Sequence, residues 1–339
     1  MTTWLLQRLL WLLATLLGIT FVTFLVLDQA PVDRAELEAA RVATDQGYAD
    51  ARSREAAILR LRVRYGMVDP VTLEPAPVWR RYTAWLQNAA LLRFGGPGGD
   101  HDALWRRLAQ ALPVTVWLGG LALGVAVVAG VAIGGWLGFR VGTRADRLVS
   151  ALLLVGAGLP EFLLATLLLL GFAVVWLQWF PASGLRSPGA ESWSFGRQLA
   201  DFAWHLVLPV SVMVIGPLTL VARFVRDAVA NTLQQPFVAN LRALGVEEVV
   251  VGWRVLRHAC TPLATLAGSL LPMLVGGSIV VESLFALDGL GHLAFLAVTT
   301  QDQPLLMAIV VIVSVVTLAS LVLSDVLHRW VDPRVRWQS

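Results

Sequence analysis

The sequence contains no lysine, and all 26 basic residues among its 339 are arginines. A phosphate-binding loop of the GxxxxGK[ST] type needs its lysine to reach the β- and γ-phosphates, so this chain has no such loop. A catalytic Schiff-base lysine is excluded for the same reason. If the protein's activity uses ATP, another chain must therefore bind the nucleotide.

Metal ligands and thiols are also scarce. Cys260 is the single cysteine, so no internal disulfide can form and the thiol content indicates no compartment. The histidines are scattered without the spacing of metal ligands; they are His101, His205, His258, His292 and His328. We therefore expect no metal site and no cofactor in this chain.

Charged residues are also scarce. Charged residues make up 14% of the chain, whereas a soluble domain has about 25%. Hydrophobic residues make up 57%, and the mean hydropathy is +0.70. The net charge of +3 is not concentrated in one basic stripe, so we expect no nucleic-acid partner. The composition excludes a soluble enzyme, a disordered chain and a disulfide-rich module, and it predicts an all-α integral membrane protein.

The apolar runs predict six transmembrane helices, at 9–27, 113–139, 148–180, 205–222, 262–281 and 305–326. The run at 148–180 is too long for one straight crossing, so we expect a kink at Pro160, or first turns outside the lipid. Arg140, Arg144 and Arg147 lie in one short loop, which places that loop and both chain termini on the cytoplasmic side. We therefore expect a multi-pass protein of the cell inner membrane.

The charged residues define the domain organisation. Residues 1–28 form the first helix, and residues 29–110 form an extracytoplasmic insert of about 80 residues, within which 51–64 is predicted as a short amphipathic helix. Residues 111–328 form the core of five helices, with a cytoplasmic loop at 223–261, and residues 329–339 form a cytoplasmic tail.

The cytoplasmic loop is predicted to fold as helix, turn and helix. Pro236 cannot lie inside a continuous helix, and Gly245 suits a chain reversal with positive φ. Glu247 and Glu248 suit the start of a new helix, where the dipole favours acidic residues. This pattern indicates a short transverse helix that a soluble partner could contact. A plain connector at the headgroup surface is the alternative.

Several motifs resemble the permeases of ABC importers, and most closely the oligopeptide, dipeptide and nickel permease family. FVANLRALGV at 237–246, with RHACTP at 257–262, resembles the family's EAA-type loop. LRVRYGMVDP at 61–70, GLPEFLLATLLLLGFA at 158–173 and VVESLFALDGLGHLAF at 280–295 are similar to further family motifs in the same order. The LDGLG form and the large insert look most like the Yej-type branch, which is associated with oligopeptides and microcin C.

The resemblance implies a type I ABC-importer permease fold and a non-catalytic role. Such a chain forms a heterodimer with a second homologous permease in the lipid bilayer, and an extracytoplasmic binding protein delivers the substrate. Two ABC ATPase subunits, or one fused ATPase, bind ATP and magnesium. The implied ATPase-coupling residues are Phe237, Asn240, Leu241, Arg242, Ala243, Leu244, Gly245, Val246 and Glu247.

Two further groups are candidates for the translocation path or its gate. Glu161 stands within an apolar run, where a carboxylate is costly and indicates function. It would meet a peptide's amino terminus or cationic side chain, or else lie near the cytoplasmic interface, either hydrated or paired with an arginine such as Arg147. Glu282, Asp288, Gly289 and Gly291 stand at the outer end of the fifth span, as a gate or docking surface, or as an ordinary glycine-containing turn.

Alternatives remain at this point. The same architecture would also serve nickel or another small solute. Ser183 with His205 would be the pair of an intramembrane serine hydrolase, but Ser183 lies in a Pro/Gly-rich loop without an evident oxyanion element. A secondary transporter would need midplane ion ligands or inverted repeats, and the sequence has no clear example of either.

Overall fold

The computed structural model describes residues 2–29, 35–36, 38–40, 51–70, 72–94, 101–260, 263, 270 and 279–331. In these residues the secondary structure is helical, apart from one isolated antiparallel bridge between Val68 and Pro75. The main helices are α1 (Thr2–Asp28), α2 (Ala51–Arg64), α3 (Val78–Ala90), α4 (His101–Gly138), α5 (Arg144–Gly158), α6 (Glu161–Leu169), α7 (Phe195–Leu233), α8 (Pro236–Ala243), α9 (Glu248–Cys260), α10 (Ile279–Leu284), α11 (Leu290–Thr299) and α12 (Gln303–Val331). The helix predicted at 51–64 is confirmed as α2.

The described part of the chain contains four helices that are long and apolar enough to cross a membrane. They are α1 from Leu6, α4, α7 and α12 as far as Val326. The pair of α5 and α6 makes a fifth if it counts as one bent span. Most of the predicted span at 262–281 lies outside the described residues, so the count of six stays a prediction.

The third predicted span is broken. Its halves, Arg144–Gly158 and Glu161–Val174, are bent by 101° relative to each other. Pro160 has no N–H to continue the helix, and it disfavours helical backbone at Leu159, whose ψ is 135°. The kink predicted at Pro160 is therefore confirmed. A π-helical turn, Leu170–Val174, follows α6 directly.

Two helices begin ten or more residues before the apolar runs that predicted them. α4 begins at His101 rather than Pro113, and α7 begins at Phe195 rather than His205. Their polar first turns favour helix but not lipid, so hydropathy marks the embedded part and misses the helix start. At 1.5 Å per residue each helix is roughly 57 Å long, well beyond a hydrocarbon core of about 30 Å.

The contacts divide the chain into two compact units, Met1–Gln110 with Leu293–Val315, and Ala111–His292 with Val316–Ser339. In the first unit, α3 packs on α1. Tyr82 is buried, its hydroxyl lies 3.0 Å from Thr20 Oγ1 and donates to the Leu17 carbonyl, and its ring contacts those of Phe21 and Phe24 edge-on.

In the second unit, α4 and α7 pack closely through small residues. A Cβ at Gly134 would lie 2.3 Å from the Ala222 carbonyl oxygen, and one at Gly138 would lie 2.6 Å from Val229 Cβ. Glycines four residues apart let two helix backbones approach closely. Membrane helices associate through such van der Waals packing, because lipid tails provide no hydrophobic driving force between helices. This contact holds α7 in place, and the end of α7 leads into the segment from 234 to 260.

Candidate functional site

The segment from 234 to 260 contains a short helix, α8, which connects the longer helices α7 and α9. α7 ends at Leu233, and Gln234 and Gln235 connect it to α8, with Pro236 in the first turn where a missing N–H costs nothing. α9 then begins at Glu248, in whose first turn an acidic residue is favoured. The predicted helix, turn and helix are confirmed.

The turn after α8 is a Schellman motif. Gly245 has φ +72°, the left-handed conformation that glycine adopts without strain. Its N–H donates to the Arg242 carbonyl at 3.0 Å, and the Val246 N–H donates to the Leu241 carbonyl at 3.1 Å. These two bonds end α8 and set its direction relative to α9.

The inner side of α8 is tied to a valine-rich core. Val238 is fully buried among Val229, Val251 and Val255. Three of the predicted coupling residues, Phe237, Leu241 and Val246, pack against this cluster, and the Phe237 ring lies 5.5 Å from that of His258. These residues hold α8 in place and do not face outward.

The remaining predicted coupling residues are exposed, and Leu244 is the most prominent, at 79% exposure. They are Asn240, Arg242, Ala243, Leu244, Gly245 and Glu247. The exposed surface of α8 is thus small and largely uncharged, with one leucine at its end. Such a surface, held rigidly from behind, suits docking into a complementary cleft.

The single cation on this surface is neutralised within the segment. Arg242 Nε and Nη2 donate to the carboxylate of Glu248 at 2.8 and 3.1 Å. This hydrogen bond and the negative charge raise the pKa of the Arg242 guanidinium. Because both side chains are well exposed, the pair contributes little stability; it instead bridges α8 and α9 across the Gly245 turn.

A buried ion pair ties the same end of α7 to the first turn of α5. Arg226 Nε and Nη2 donate to both oxygens of Asp146, at 2.6 and 2.7 Å. Asp146 is only 2% exposed and also accepts from the Gly142 N–H at 2.9 Å. The pair lies two helical turns before the end of α7, so it holds the helix from which α8 extends.

We expect Arg226→Gln to destabilise the protein by about 3 kcal/mol, since removing one partner leaves Asp146 buried and uncompensated. The free energy of unfolding in detergent measures this loss of stability. Arg223→Gln is the matched control: Arg223 lies on the same helix, exposed and without a described partner, and its loss should stay within about 0.5 kcal/mol. Equal effects of the two substitutions would contradict the proposed role of the pair.

A second cluster forms around the buried carboxylate of Glu282. Its Oε1 accepts from Thr115 Oγ1 at 2.9 Å, and its Oε2 accepts from the N–H groups of Gly291 at 2.7 Å and His292 at 3.1 Å. Thr115 Oγ1 in turn accepts from the Leu290 N–H at 2.8 Å. The carboxylate and hydroxyl thus cap the first turn of α11, whose N–H groups have no partner within the helix.

The two glycines of the DGLG sequence make room for this carboxylate. A Cβ at Gly289 would lie 2.3 Å from Glu282 Oε2, and one at Gly291 would lie 2.9 Å from it. The structure therefore brings together three of the four residues predicted near this end. The fourth, Asp288, is exposed beside the cluster and takes no part in it.

Glu161 lies apart from both clusters, at the first position of α6 directly after the break. It is exposed and has no hydrogen-bond partner among the described residues. The pairing of Glu161 with Arg147 is not formed, because Arg147 Nη2 instead lies 3.5 Å from the Gly142 carbonyl oxygen.

The structure does not form the serine–histidine pair of a hydrolase. His205 Nδ1 lies 2.8 Å from the Asp201 carbonyl oxygen, and Asp201 Oδ1 accepts from Ser187 rather than Ser183. Ser183 has no described side-chain partner. A nucleophile within reach of a base is the first requirement of such a site.

The roles of Thr115 and Arg226 in the two buried clusters were not predicted from the sequence. Thr115 is a lone hydroxyl in an apolar run, which gives no signal for a partner 167 residues away. Arg226 stands out only as one of several arginines in the loop. The feature that could have indicated its role is Asp146, the single acidic residue among the arginines at 140–147.

Four or five helices long and apolar enough to cross a membrane, together with a short helix packed on a buried core between α7 and α9, indicate a multi-pass membrane protein. The chain belongs to the family described as binding-protein-dependent transport system inner membrane component, whose model matches residues 130–337. It is thus an inner-membrane permease component of an ABC transport system, a family that works with ATPase and binding-protein partners and is itself non-catalytic.

The chain is similar along its whole length to curated peptide permeases. A putative peptide permease of Brucella ovis is 32% identical, with 98% of each chain covered. The dipeptide transport system permease DppB of Bacillus subtilis is 28% identical, covering 95% of this chain and 94% of the relative. The peptidoglycan transport system permease YejB of Agrobacterium fabrum is 26% identical, covering 100% and 99%. These matches confirm the resemblance stated from the motifs.

Proposed function

We propose that this chain forms half of the translocation pathway of an ATP-driven importer of peptides. It pairs with a second homologous permease, receives substrate from an extracytoplasmic binding protein, and is driven by two ATPase subunits or one fused ATPase. ATP and magnesium bind to those partners. The observation that carries the proposal is α8, a packed helix whose small exposed surface has its one cation paired, in a chain that belongs to this family.

The proposed mechanism uses α8 as the contact that transmits ATPase closure to the spans. Leu244 and its exposed neighbours enter a cleft of the ATPase, while Phe237, Val238 and Leu241 transfer the movement to α7 and α9. Asp146 and Arg226 keep α7 from bending where the force enters. Alternating access then follows from movement of the spans as packed bodies.

The proposed topology places α8, both termini and the loop before α5 in the cytoplasm. Residues 29–110 then lie outside the cell membrane, and residues 111–328 form the core. The Glu282 cluster stands at the outer end of the core, where it fixes the start of α11 and leaves Asp288 free as a gate or docking residue.

The peptide substrate is supported by the similarity to peptide and dipeptide permeases and by Glu161. A carboxylate in an apolar, broken span is retained at a cost, and an uncharged peptide path would not need it. We propose that Glu161 faces the pathway and accepts a hydrogen bond from the ammonium group of a peptide's amino terminus.

Uptake into proteoliposomes tests both proposals. With the assembled complex and the binding protein, labelled peptide should accumulate only when ATP is present. Glu161→Gln should raise the KM for a peptide with a free amino terminus by about tenfold, as expected for losing a charge-assisted hydrogen bond. It should leave an N-acetylated peptide unaffected. Glu191→Gln is the matched control, an exposed acid of the loop before α7.

Two outcomes would contradict these proposals. Peptide uptake driven by an ion gradient without ATP would exclude the importer mechanism. Equal effects of Glu161→Gln on free and acetylated peptides would exclude the ammonium contact while leaving the importer intact.

A further inference from the structure

A cavity of about 370 Å³ lies in the first unit, at the end of α1 opposite Arg8. Its walls are the last turn of α1, the turn between α2 and α3, one side of α3, and the start of α12. The Gln303 side chain donates to the Leu27 carbonyl at 3.2 Å, so the two membrane-spanning helices meet at the cavity.

The cavity has an apolar floor and a basic rim. Phe24, Trp85, Phe94 and Met307 supply the apolar surface. The basic side chains are four arginines, and the acidic ones are two aspartates: Arg64, Arg80, Arg81, Arg93, Asp28 and Asp69.

The charges in the lining do not balance. Arg81 pairs with Asp28, and Arg80 Nη1 lies 3.3 Å from Asp69 Oδ2. The side chains of Arg64 and Arg93 have no partner in the described part of the chain. Two guanidinium groups of the lining are therefore available to an anion.

The position of α3 places this cavity at the level of lipid headgroups. Tyr82 of α3 reaches the Leu17 carbonyl of α1, which lies eleven residues before Asp28, or roughly 16 Å along the helix. α3 therefore packs along the second half of α1. Trp79, Leu91 and Leu92 are exposed on and just after α3, as is typical of a helix at a membrane interface.

We propose that this cavity binds the headgroup of an anionic phospholipid from the leaflet at the Asp28 end of α1. Arg64 and Arg93 contact the phosphate, for which the guanidinium fork is suited, and the glycerol and first methylenes lie on the aromatic floor. A phospholipid fits better than a soluble anion, because the floor is apolar and the site opens beside two membrane spans. The site is independent of the substrate that the importer carries.

Native mass spectrometry of the purified complex tests the proposal. The complex is taken from nanodiscs that contain equal amounts of phosphatidylglycerol and phosphatidylethanolamine. Wild-type protein should retain phosphatidylglycerol in preference to phosphatidylethanolamine. The double substitution Arg64→Gln with Arg93→Gln should lower that retention roughly thirtyfold, as expected for losing two guanidinium–phosphate contacts. Arg60→Gln is the control, since Arg60 lies on α2 one turn before Arg64 and outside the cavity lining.

A second variant tests the cavity without changing charge. Ala84→Phe places a ring in the space that Ala84 lines and should also reduce phosphatidylglycerol retention, while thermal unfolding stays close to that of Arg60→Gln. Retention unchanged in both variants would overturn the proposal, as would equal retention of the two lipids. If peptide displaces the lipid and the double variant alters peptide KM alone, the cavity is a peptide site and the lipid proposal fails.

Discussion

Gly245→Arg should abolish assembly of the permease with its ATPase, and with it ATP-driven uptake, while the membrane helices stay folded. Gly245 adopts φ +72°, which costs any residue with a Cβ about 1–2 kcal/mol. No other atom lies within 4 Å of a Cβ placed there, so arginine fits sterically. It would nevertheless put a long cation beside Leu244, on a surface where the one existing cation, Arg242, is paired with Glu248. Copurification of the ATPase with the tagged variant measures the loss.

Gly245→Asn is the matched control for that substitution. Asparagine tolerates the left-handed conformation better than other residues with a side chain, and it adds no charge. We expect it to retain most of the assembly and uptake of wild type. Wild-type assembly in Gly245→Arg would show that the Gly245 turn does not lie against the ATPase.

Gly289→Ala should produce a large loss of stability in the second unit. The new methyl group would lie 2.3 Å from Glu282 Oε2 and 2.7 Å from Thr115 Oγ1, so the carboxylate must leave its place. Overpacking costs about 1–3 kcal/mol, and a lost hydrogen bond to a charged group costs about 1.5–3 kcal/mol more. We expect a total of about 3 kcal/mol or more, measured as a lower Tm in detergent together with loss of uptake.

Gly216→Ala provides the comparison for this effect. Gly216 lies inside α7, exposed, with nothing within 4 Å of the added Cβ. The same chemical change there should be neutral or stabilise by up to about 1 kcal/mol, because alanine favours helix. A Tm for Gly289→Ala as high as that for Gly216→Ala would mean that the carboxylate cap does not hold this end of the core together.

The local features of the transverse segment could be predicted from the sequence. Pro236, Gly245 and the acidic pair at 247–248 each act through their own backbone or through the helix end beside them. The kink at Pro160 was predictable for the same reason. Such signals depend on a few consecutive residues, and they give the same answer in any surrounding fold.

The two buried polar clusters could not be predicted, because their partners are distant in the chain. Arg226 and Asp146 are 80 residues apart, and Glu282 and Thr115 are 167 apart. The sequence predicted Glu282, Gly289 and Gly291 as neighbours of one turn, without the reason that both glycines leave room for the carboxylate. The starts of α4 and α7 were predicted wrongly for a different reason. Hydropathy detects the part of a helix that contacts lipid, whereas α4 and α7 begin well before their apolar runs.

Affinity purification of the tagged chain from its native membrane in mild detergent tests the central claim most directly. Mass spectrometry then identifies its companions and their stoichiometry. A second homologous permease together with one or two ATPases that contain the phosphate-binding loop is the predicted result, because this chain has no lysine for such a loop. A lone protein or a homo-oligomer, found repeatedly under conditions that preserve other complexes, would contradict the account.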